Sequence, residues 1–370
     1  MTYQICTRCV MDVSDPEISF DEDGVCNHCH RFDEIAEKHW FPDERGARIL
    51  AEQVERIKAA GAGRDYDSIM GLSGGVDSSY LAVKMVELGL RPLVVHVDGG
   101  WNSELATNNI EQLVKRLNLD LHVHVVNWRE MQDLQVAYLR SGVANQDVPQ
   151  DHAFFAELLR VGRKHRIKHV ISGSNYATES ILPSAWGYNA MDLTNLRAIH
   201  KTYGNIRLRE YPTVSFLEWY VTYPRLLGVQ FFRPLNYMPY DKKAAKDLLI
   251  SEYGWKDYGG KHYESRFTKF FQGYYLIERF GYDKRRAHLA SLVVSEQMTR
   301  EEALTELEKP AYPANQLPED VEFIRKKLGL SQEQFDEIMN ANRHMATDFK
   351  SDNGKRQLLQ RIRRVIKGGR

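Results

Sequence analysis

Beyond residue 29 the chain has no cysteine at all. No disulfide can therefore tie its body together, and no catalytic thiol can come from there. An excess of either charge is also missing. Lys plus Arg and Asp plus Glu both number 50, so the formal net charge is zero. That excludes nucleic-acid binding driven by bulk charge and leaves only local basic patches. No apolar run approaches the ~20 residues that span a bilayer. The start, Met1 to Cys6, lacks the basic stretch and apolar core of a signal peptide, so a cytoplasmic location is expected. There is no GxxxxGKS/T pattern, no GxGxxG, no internal repeat and no low-complexity segment, which argues against Walker-type and dinucleotide sites.

What cysteine there is clusters. Cys6, Cys9, Cys26 and Cys29 form two C-x-x-C pairs close together at the N-terminus. In a reducing compartment this spacing fits a zinc site, with four thiolates closing a tetrahedral shell at about 2.3 Å. A closed shell is structural. The segment is too short to bury a core, so metal binding replaces burial as its folding drive. An iron–sulfur cluster or free redox thiols are the alternatives. His28 and His30 lie beside the cysteines and read as solvated rather than as ligands.

Residues 31–63 read as helical, with Ile49, Val54 and Ile57 apolar and Gly61-Ala62-Gly63 ending the stretch. Strand and helix patterns then alternate. Strands are expected at 66–72, 92–97, 121–126 and 168–172, with helices at 78–88, 103–117 and 151–165. This order predicts an α/β fold, a doubly wound parallel sheet whose ligand lies beyond the carboxyl ends of the strands. Residues 176–238, rich in aromatics and proline, show no clean period and read as an irregular substrate-binding insertion. From Asp241 onward the chain reads as helical. The expected organisation is an N-terminal cysteine module with its helix at 1–62, an α/β domain at 63–240 and a helical region at 241–370.

The first strand leads directly into Ser73-Gly74-Gly75-Val76-Asp77-Ser78-Ser79. Glycines let backbone approach a phosphate, and the free N–H groups of a helix start point at the anion. Ser73, Ser78 and Ser79 add hydroxyls. Asp77 suits an anion site only if a divalent cation such as Mg²⁺ joins the phosphates. The alternative is a plain serine–glycine turn.

The string resembles the PP-loop of ATP pyrophosphatases of the HUP-type α/β fold, which cleave ATP between the α and β phosphates and transfer AMP to a substrate oxygen. Asparagine, GMP and NAD synthetases and tRNA-thiolating enzymes are members. The words Cys6-Thr7-Arg8-Cys9-Val10-Met11-Asp12, Gly24-Val25-Cys26-Asn27-His28-Cys29, Val148-Pro149-Gln150-Asp151-His152, Gly260-Lys261-His262-Tyr263-Glu264-Ser265 and Phe280-Gly281-Tyr282-Asp283-Lys284-Arg285-Arg286 are similar to those of the N-acetyl sugar amidotransferases, the WbpG- and PseA-like proteins of surface-polysaccharide (LPS O-antigen) and flagellin-glycan pathways.

The resemblance implies ATP-driven amidine formation. The acetamido oxygen of a UDP- or CMP-linked sugar is adenylated, and ammonia displaces AMP. It implies ATP, Mg²⁺ and Zn²⁺ as cofactors. Asp98, Gly173, Ser174 and Asn175, at strand ends, are candidates for contacts with the nucleotide; ordinary turns are the alternative. Lys242 or Lys243 is a candidate to neutralise phosphate charge. Lys261, His262 and His152 are candidates for ATP or sugar contact and proton transfer, and Glu179 for Mg²⁺. Asp151 is a candidate for a helix N-cap or for ammonia deprotonation. Arg207, Arg209 and Arg225 are candidate holders of a carboxylate or diphosphate. With every cysteine assigned to metal, the chain is expected not to hydrolyse glutamine but to use free ammonia or take it from a separate glutaminase, and the resemblance implies a partner like the HisH/HisF subunits of histidine biosynthesis. Another PP-loop ligase, a tRNA thiolase or a non-catalytic zinc-ribbon interaction protein are the other readings.

Overall fold

The computed structural model describes residues 3–260 and 263–368. Helices α1 (Asn27–His39) and α2 (Glu44–Ala60) follow the cysteine loops. The sheet then alternates with helices: β1 (Ser68–Gly71), α3 (Val76–Glu87), β2 (Pro92–Asp98), α4 (Glu104–Leu117), β3 (Leu121–Val125), α5 (Trp128–Ser141), α6 (Val148–Lys164) and β4 (His169–Ile171). Next come α7 (Tyr176–Glu179), α8 (Leu193–Tyr203), β5 (Gln230–Phe232) and α9 (Lys242–Tyr253). The remainder is helical: α10 (Arg266–Phe270), α11 (Leu276–Phe280), α12 (Lys284–Val294), α13 (Arg300–Glu308), α14 (Leu317–Lys327), α15 (Gln332–Asn340) and α16 (Asn353–Gly368).

All strand pairs are parallel, in the order β3-β2-β1-β4-β5. Met70 of β1 stands level with Val94 of β2 and Ile171 of β4. Side chains alternate between two buried faces, so the strands read as apolar runs rather than as a polar–apolar alternation. Met70, Val94 and Ile171 pack with α2, α3, α4 and α9. Ile69, Leu93, Val95 and Val170 face α6 on the other side. The expected doubly wound sheet is therefore present. α2, assigned from sequence to the N-terminal unit, and α9, assigned to the C-terminal one, share one core with the sheet.

Several elements escaped the sequence pattern, α7 and the three following among them. β5 lies in the stretch read as irregular; it has three residues, mostly exposed, too few for a period. α8 falls in the same stretch. α5 is buried around most of its circumference, including Met131, Leu134, Val136, Tyr138 and Leu139, and so lacks a polar face to mark it. α6 begins three residues earlier than expected, with Pro149 in its first turn, so Asp151 is inside the helix and not its cap.

The cysteine loops share a core with α12 and α13 through Ala287, Leu289, Ala290 and Ala303. Among the described residues no helix is long and apolar enough to cross a membrane.

A buried ionic knot joins α10 to α14. Asp320, 5% exposed, accepts hydrogen bonds from Arg266 Nη2 (2.6 Å), Lys269 Nζ (2.7 Å) and the Tyr312 hydroxyl (2.6 Å). Burial alone would raise the Asp320 carboxyl, but the bonds from Lys269, Tyr312 and Arg266 outweigh it and hold its pKa below the usual aspartate value. A depressed folded pKa supplies stability above the unfolded value, which is lost as pH falls through the folded one. Asp320→Ala, which strands buried Lys269, is expected to lower unfolding free energy by about 3–5 kcal/mol at pH 7. The difference from wild type should shrink below about pH 4 in denaturant titrations.

Candidate functional site

β1 stops at Gly71, and Leu72 to Gly75 turn the chain into α3. Gly74 sits at φ +85°, and a Cβ there would lie 2.8 Å from the Ala106 carbonyl oxygen. Its own carbonyl accepts from Trp255 Nε1 at 3.0 Å, which pins the loop from below. Gly75 N–H donates to Ser73 Oγ (3.2 Å), and Ser78 Oγ donates to the Gly75 carbonyl (3.2 Å). A methyl group on Gly75 would stand 3.2 Å from Ser73 Oγ and 3.4 Å from Glu264 Oε1, so the absence of a side chain is what keeps this cradle open. The first N–H groups of α3 have no intrahelical acceptor and carry the positive end of the helix dipole. Ser79 differs from expectation: its hydroxyl is fully buried away from the cleft and hydrogen-bonds to nothing. Gly74→Ala is expected to cost at least 1–2 kcal/mol through the left-handed backbone alone, and to weaken nucleotide binding further because the loop must shift off Ala106. Isothermal titration with a non-hydrolysable ATP analogue checks this.

The loop opens on a cleft of about 360 Å³. Ser73, Gly75, Asp77, Ser78, Gly173 and Ser174 form its floor, and Lys242, Lys246, Asp257 and Tyr258 one wall. Lys242 faces this cleft, as expected, but Lys243 does not. It lies one position round α9, exposed, in a neighbouring groove with Glu301 and Glu302 whose edge Lys242 and Lys246 also line. Lys246, a helical turn after Lys242, takes its place and pairs with Asp257 at 2.6 Å. Sequence reasoning missed Lys246; its spacing from Lys242 was the available signal. The Tyr240 hydroxyl donates to the Asp77 carboxylate. Burial, then the Asp77 charge, pushes the Tyr240 phenol far above its ordinary value. Asp77, Glu179 and Glu264 bring three carboxylates to a cleft that also carries two lysines and free N–H groups. This mixture fits a polyphosphate accompanied by a divalent cation: the carboxylates could hold the metal, and the lysines and amides the phosphates.

A second cavity, about 520 Å³, continues from the first and shares Ser73, Ser78, Gly173, Ser174 and Glu264 with it. It lies beyond the ends of β1, β2 and β4, the position expected for a ligand of such a sheet. Gly173 and Ser174 line both spaces. Asn175 does not. Its Oδ1 accepts from Thr178 N–H (2.9 Å), so it is the N-cap of α7. Asp98 likewise turns inward, accepting from Gly100 N–H (2.7 Å) and Asn102 Nδ2 (3.1 Å); Gly99 supplies the cavity surface instead. Sequence reasoning missed His96. Its Nδ1–H donates to the Leu72 carbonyl (2.8 Å) and its Nε2 accepts from Asn102 (2.9 Å), stitching β2 to the phosphate loop.

His152 is corrected outright. It is fully buried, with Nδ1–H donating to Ala190 O (2.7 Å) and Nε2 accepting from Val214 N–H (3.1 Å). Burial lowers its pKa to about 4, so it stays neutral and has no nitrogen free for a substrate. Its neighbour Asp151 is the residue that faces the cavity. Arg207, Arg209 and Arg225 are exposed and line neither space. Lys261 and His262 lie outside the described residues.

The sulfurs of Cys6, Cys9, Cys26 and Cys29 all lie within 4.8 Å of one another. The Cys6–Cys29 and Cys9–Cys26 separations are 3.8 and 3.7 Å. A tetrahedral ion with bonds of about 2.3 Å places its sulfurs roughly 3.8 Å apart, so the cage has the size for one metal ion. Cys26 N–H donates to Cys6 Sγ (3.3 Å) and Met11 N–H to Cys9 Sγ (3.4 Å), the outer bonds that steady thiolate ligands. Arg300 of α13 donates to the Cys6 and Cys9 carbonyls. His28, expected to be solvated, is instead half-buried and pairs with buried Asp15 at 2.6 Å.

Glu264 and Ser265, at the head of α10, reach the cleft because Ser103 N–H donates to Glu264 O (2.8 Å) and Asn102 bridges to Ser265. Residues 264–363 match the family described as "LPS biosynthesis protein WbpG-like, C-terminal domain". No curated protein matches the chain. Among solved structures, an NH3-dependent NAD synthetase from Campylobacter jejuni subsp. jejuni NCTC 11168, in complex with the nitrate ion, aligns at 15% identity with TM-score 0.30, over 42% of this chain and 72% of that one. An NMN synthetase from Francisella tularensis aligns at 13% identity with TM-score 0.30, over 66% of this chain and 94% of that one. Residues 264–363 are thus similar to the WbpG-like C-terminal domain family, and they are joined here to a doubly wound parallel α/β fold whose cleft beside the loop at 73–79 they help to wall.

Proposed function

We propose that the protein is an ATP-dependent ligase that adenylates the acetamido oxygen of a nucleotide-linked sugar and lets ammonia replace it, forming an acetamidino group for a bacterial surface glycan such as LPS O-antigen. One observation carries the reading. The cavity that opens from the phosphate loop is lined by Glu264 at its junction with the cleft and by Ser265, Thr268, Gln272 and Lys284, all within the residues that match the WbpG-like domain. A sugar held there meets ATP held on the loop.

The chemistry explains the two-part site. An amide oxygen is a very poor leaving group, whereas AMP is a good one. The α3 N-terminus, Lys242 and Lys246 stabilise the charge that develops on departing pyrophosphate. Mg²⁺, held by Asp77 and Glu179, supplies further charge neutralisation when bound. Zn²⁺ in the four-cysteine cage has a structural task, since a closed tetrathiolate shell leaves no open position. With all four cysteines in that cage, glutamine hydrolysis falls to a separate glutaminase subunit.

The test supplies purified protein with ATP, MgCl₂, ammonium chloride and either a UDP-linked diacetamido uronate or a CMP-linked diacetamido nonulosonate. Expected are AMP, pyrophosphate and a sugar nucleotide in which mass spectrometry finds NH in place of O, with an added positive charge. Failure of every acetamido sugar nucleotide to elicit pyrophosphate sinks the reading. Turnover with glutamine as sole nitrogen source refutes the separate glutaminase.

A further inference from the structure

Asp147 and Asp151 lie one helical turn apart at the start of α6, and both line the second cavity. The Asp147 carboxylate accepts from Gln150 Nε2 (3.1 Å) and Thr268 Oγ1 (3.0 Å). Among the described residues the Asp151 carboxylate accepts no hydrogen bond, and its electrostatic neighbours are Asp147 and Lys284. Asp151 is exposed, its side chain open to the cavity that it lines. The other ionisable groups there are committed. His96 has both ring nitrogens hydrogen-bonded, and the Lys284 amine stands over the Phe271 ring. Glu264 stands at the junction with the phosphate cleft, and the Tyr211 hydroxyl, also beside Asp151, donates to Pro149 O.

Ammonium is the dominant form of the nitrogen donor at neutral pH, and it has no lone pair with which to attack. A cation entering this cavity meets two adjacent carboxylates, of which Asp151 has its oxygens free. We infer that Asp151 is the catalytic base that takes a proton from ammonium inside the second cavity and releases ammonia beside the adenylated carbon. The inference rests on the function proposed above. Burial, then the Asp147 charge, raises the Asp151 carboxyl to about 7 against the pull of Lys284, so the group exchanges protons in the working range.

The step balances. The acetamido oxygen forms a bond to the α-phosphorus while the bond to pyrophosphate breaks. Ammonium passes one proton to Asp151. The nitrogen lone pair forms the C–N bond, the C–O bond to AMP breaks, and the nitrogen sheds a second proton to solvent in the cavity as the amidinium forms. Asp151 returns its proton to solvent in the cavity.

The experiment compares wild type with Asp151→Asn, using the two sugar nucleotides named above. Exchange of labelled pyrophosphate into ATP, dependent on sugar and run without nitrogen donor, reports adenylation alone. It is expected to persist in the variant. Amidine formation from ammonium is expected to fall about 10²–10⁴-fold. The wild-type inflection near pH 7 should disappear, leaving a rate that tracks free ammonia. Hydroxylamine, neutral at pH 7 and in no need of a base, should restore the variant. Equal loss with hydroxylamine, or loss of exchange, makes Asp151 structural and overturns the inference, as does an unchanged ammonium rate and pH profile. Absence of exchange in the wild type fails the adenylation reading itself.

Discussion

Cys26→Ser is expected to strip the metal from the protein and to destabilise far more than the segment that holds it. Structural zinc in small tetrathiolate or mixed sites contributes roughly 10–16 kcal/mol of apparent free energy. That rivals the whole stability of an ordinary domain, about 5–15 kcal/mol. The cysteine loops have little else: their buried apolar side chains, Val10, Met11 and Phe32, are few. They are also not separate. Ala287, Leu289, Ala290 and Ala303 of α12 and α13 pack in the same cluster, and Arg300 donates to the Cys6 and Cys9 carbonyls. Losing the ion therefore loosens the WbpG-like helices that frame the second cavity, since α12 carries Lys284 at its first position. Metal analysis should find one zinc per wild-type chain and none in the variant. The unfolding midpoint should drop by well over ten degrees, and a strong chelator should reproduce that drop in wild type. A variant that lost the ion but kept its midpoint would show that burial, not metal, folds the module.

Asp77→Ala is expected to do the reverse, leaving the fold and removing the chemistry. Asp77 stands in the first turn of α3, facing the phosphate cleft, with its carboxylate held by the Tyr240 hydroxyl. Removing one preorganised charge-stabilising group from such a site typically costs about 10²–10³ in rate, or about 2.7–4 kcal/mol. Pyrophosphate release should fall by at least that factor, while zinc content stays at the wild-type level. Stability should fall modestly: half-buried Asp77 contributes about 0.3–1 kcal/mol as a first-turn helix acid, and its loss leaves the buried Tyr240 hydroxyl without its acceptor, at about 1–3 kcal/mol. Lys243→Ala, one position round α9 and outside the cleft at the loop, should leave the rate near wild type, and Lys246→Ala should not. Undiminished pyrophosphate release from Asp77→Ala would mean that the triphosphate does not rest on this loop.

The features legible in the sequence were local ones. The four-cysteine spacing carries its own geometry, because each C-x-x-C pair places two sulfurs on one side of a single ion. The phosphate loop was legible because Ser73 to Ser79 must join a strand to a helix for its glycines and free amides to matter. Four of the five strands announced themselves as apolar runs. β5 did not, being three residues long, and α5 did not, because burial on most sides erases the polar face that marks a helix.

What depended on distant residues stayed hidden. His152 looked like a proton carrier until Ala190 and Val214 were found on its two nitrogens. Asp98 and Asn175 sit in the right turns but spend their side chains holding those turns. Which lysine of α9 meets the phosphates is a matter of how that helix is rotated against α3, and the packing of Ala245 and Leu249 into the sheet core decides it.

The sequence by itself determined the four-cysteine cluster, the glycine–serine turn after β1 and the parallel sheet that presents it, because each rests on contacts between near neighbours along the chain. Only the tertiary structure decided that Glu264 to Lys284 wall the cavity beside the loop at 73–79, and that Asp151 rather than His152 faces it. Those choices follow from how helices rotate and dock in a shared core, which no local pattern encodes.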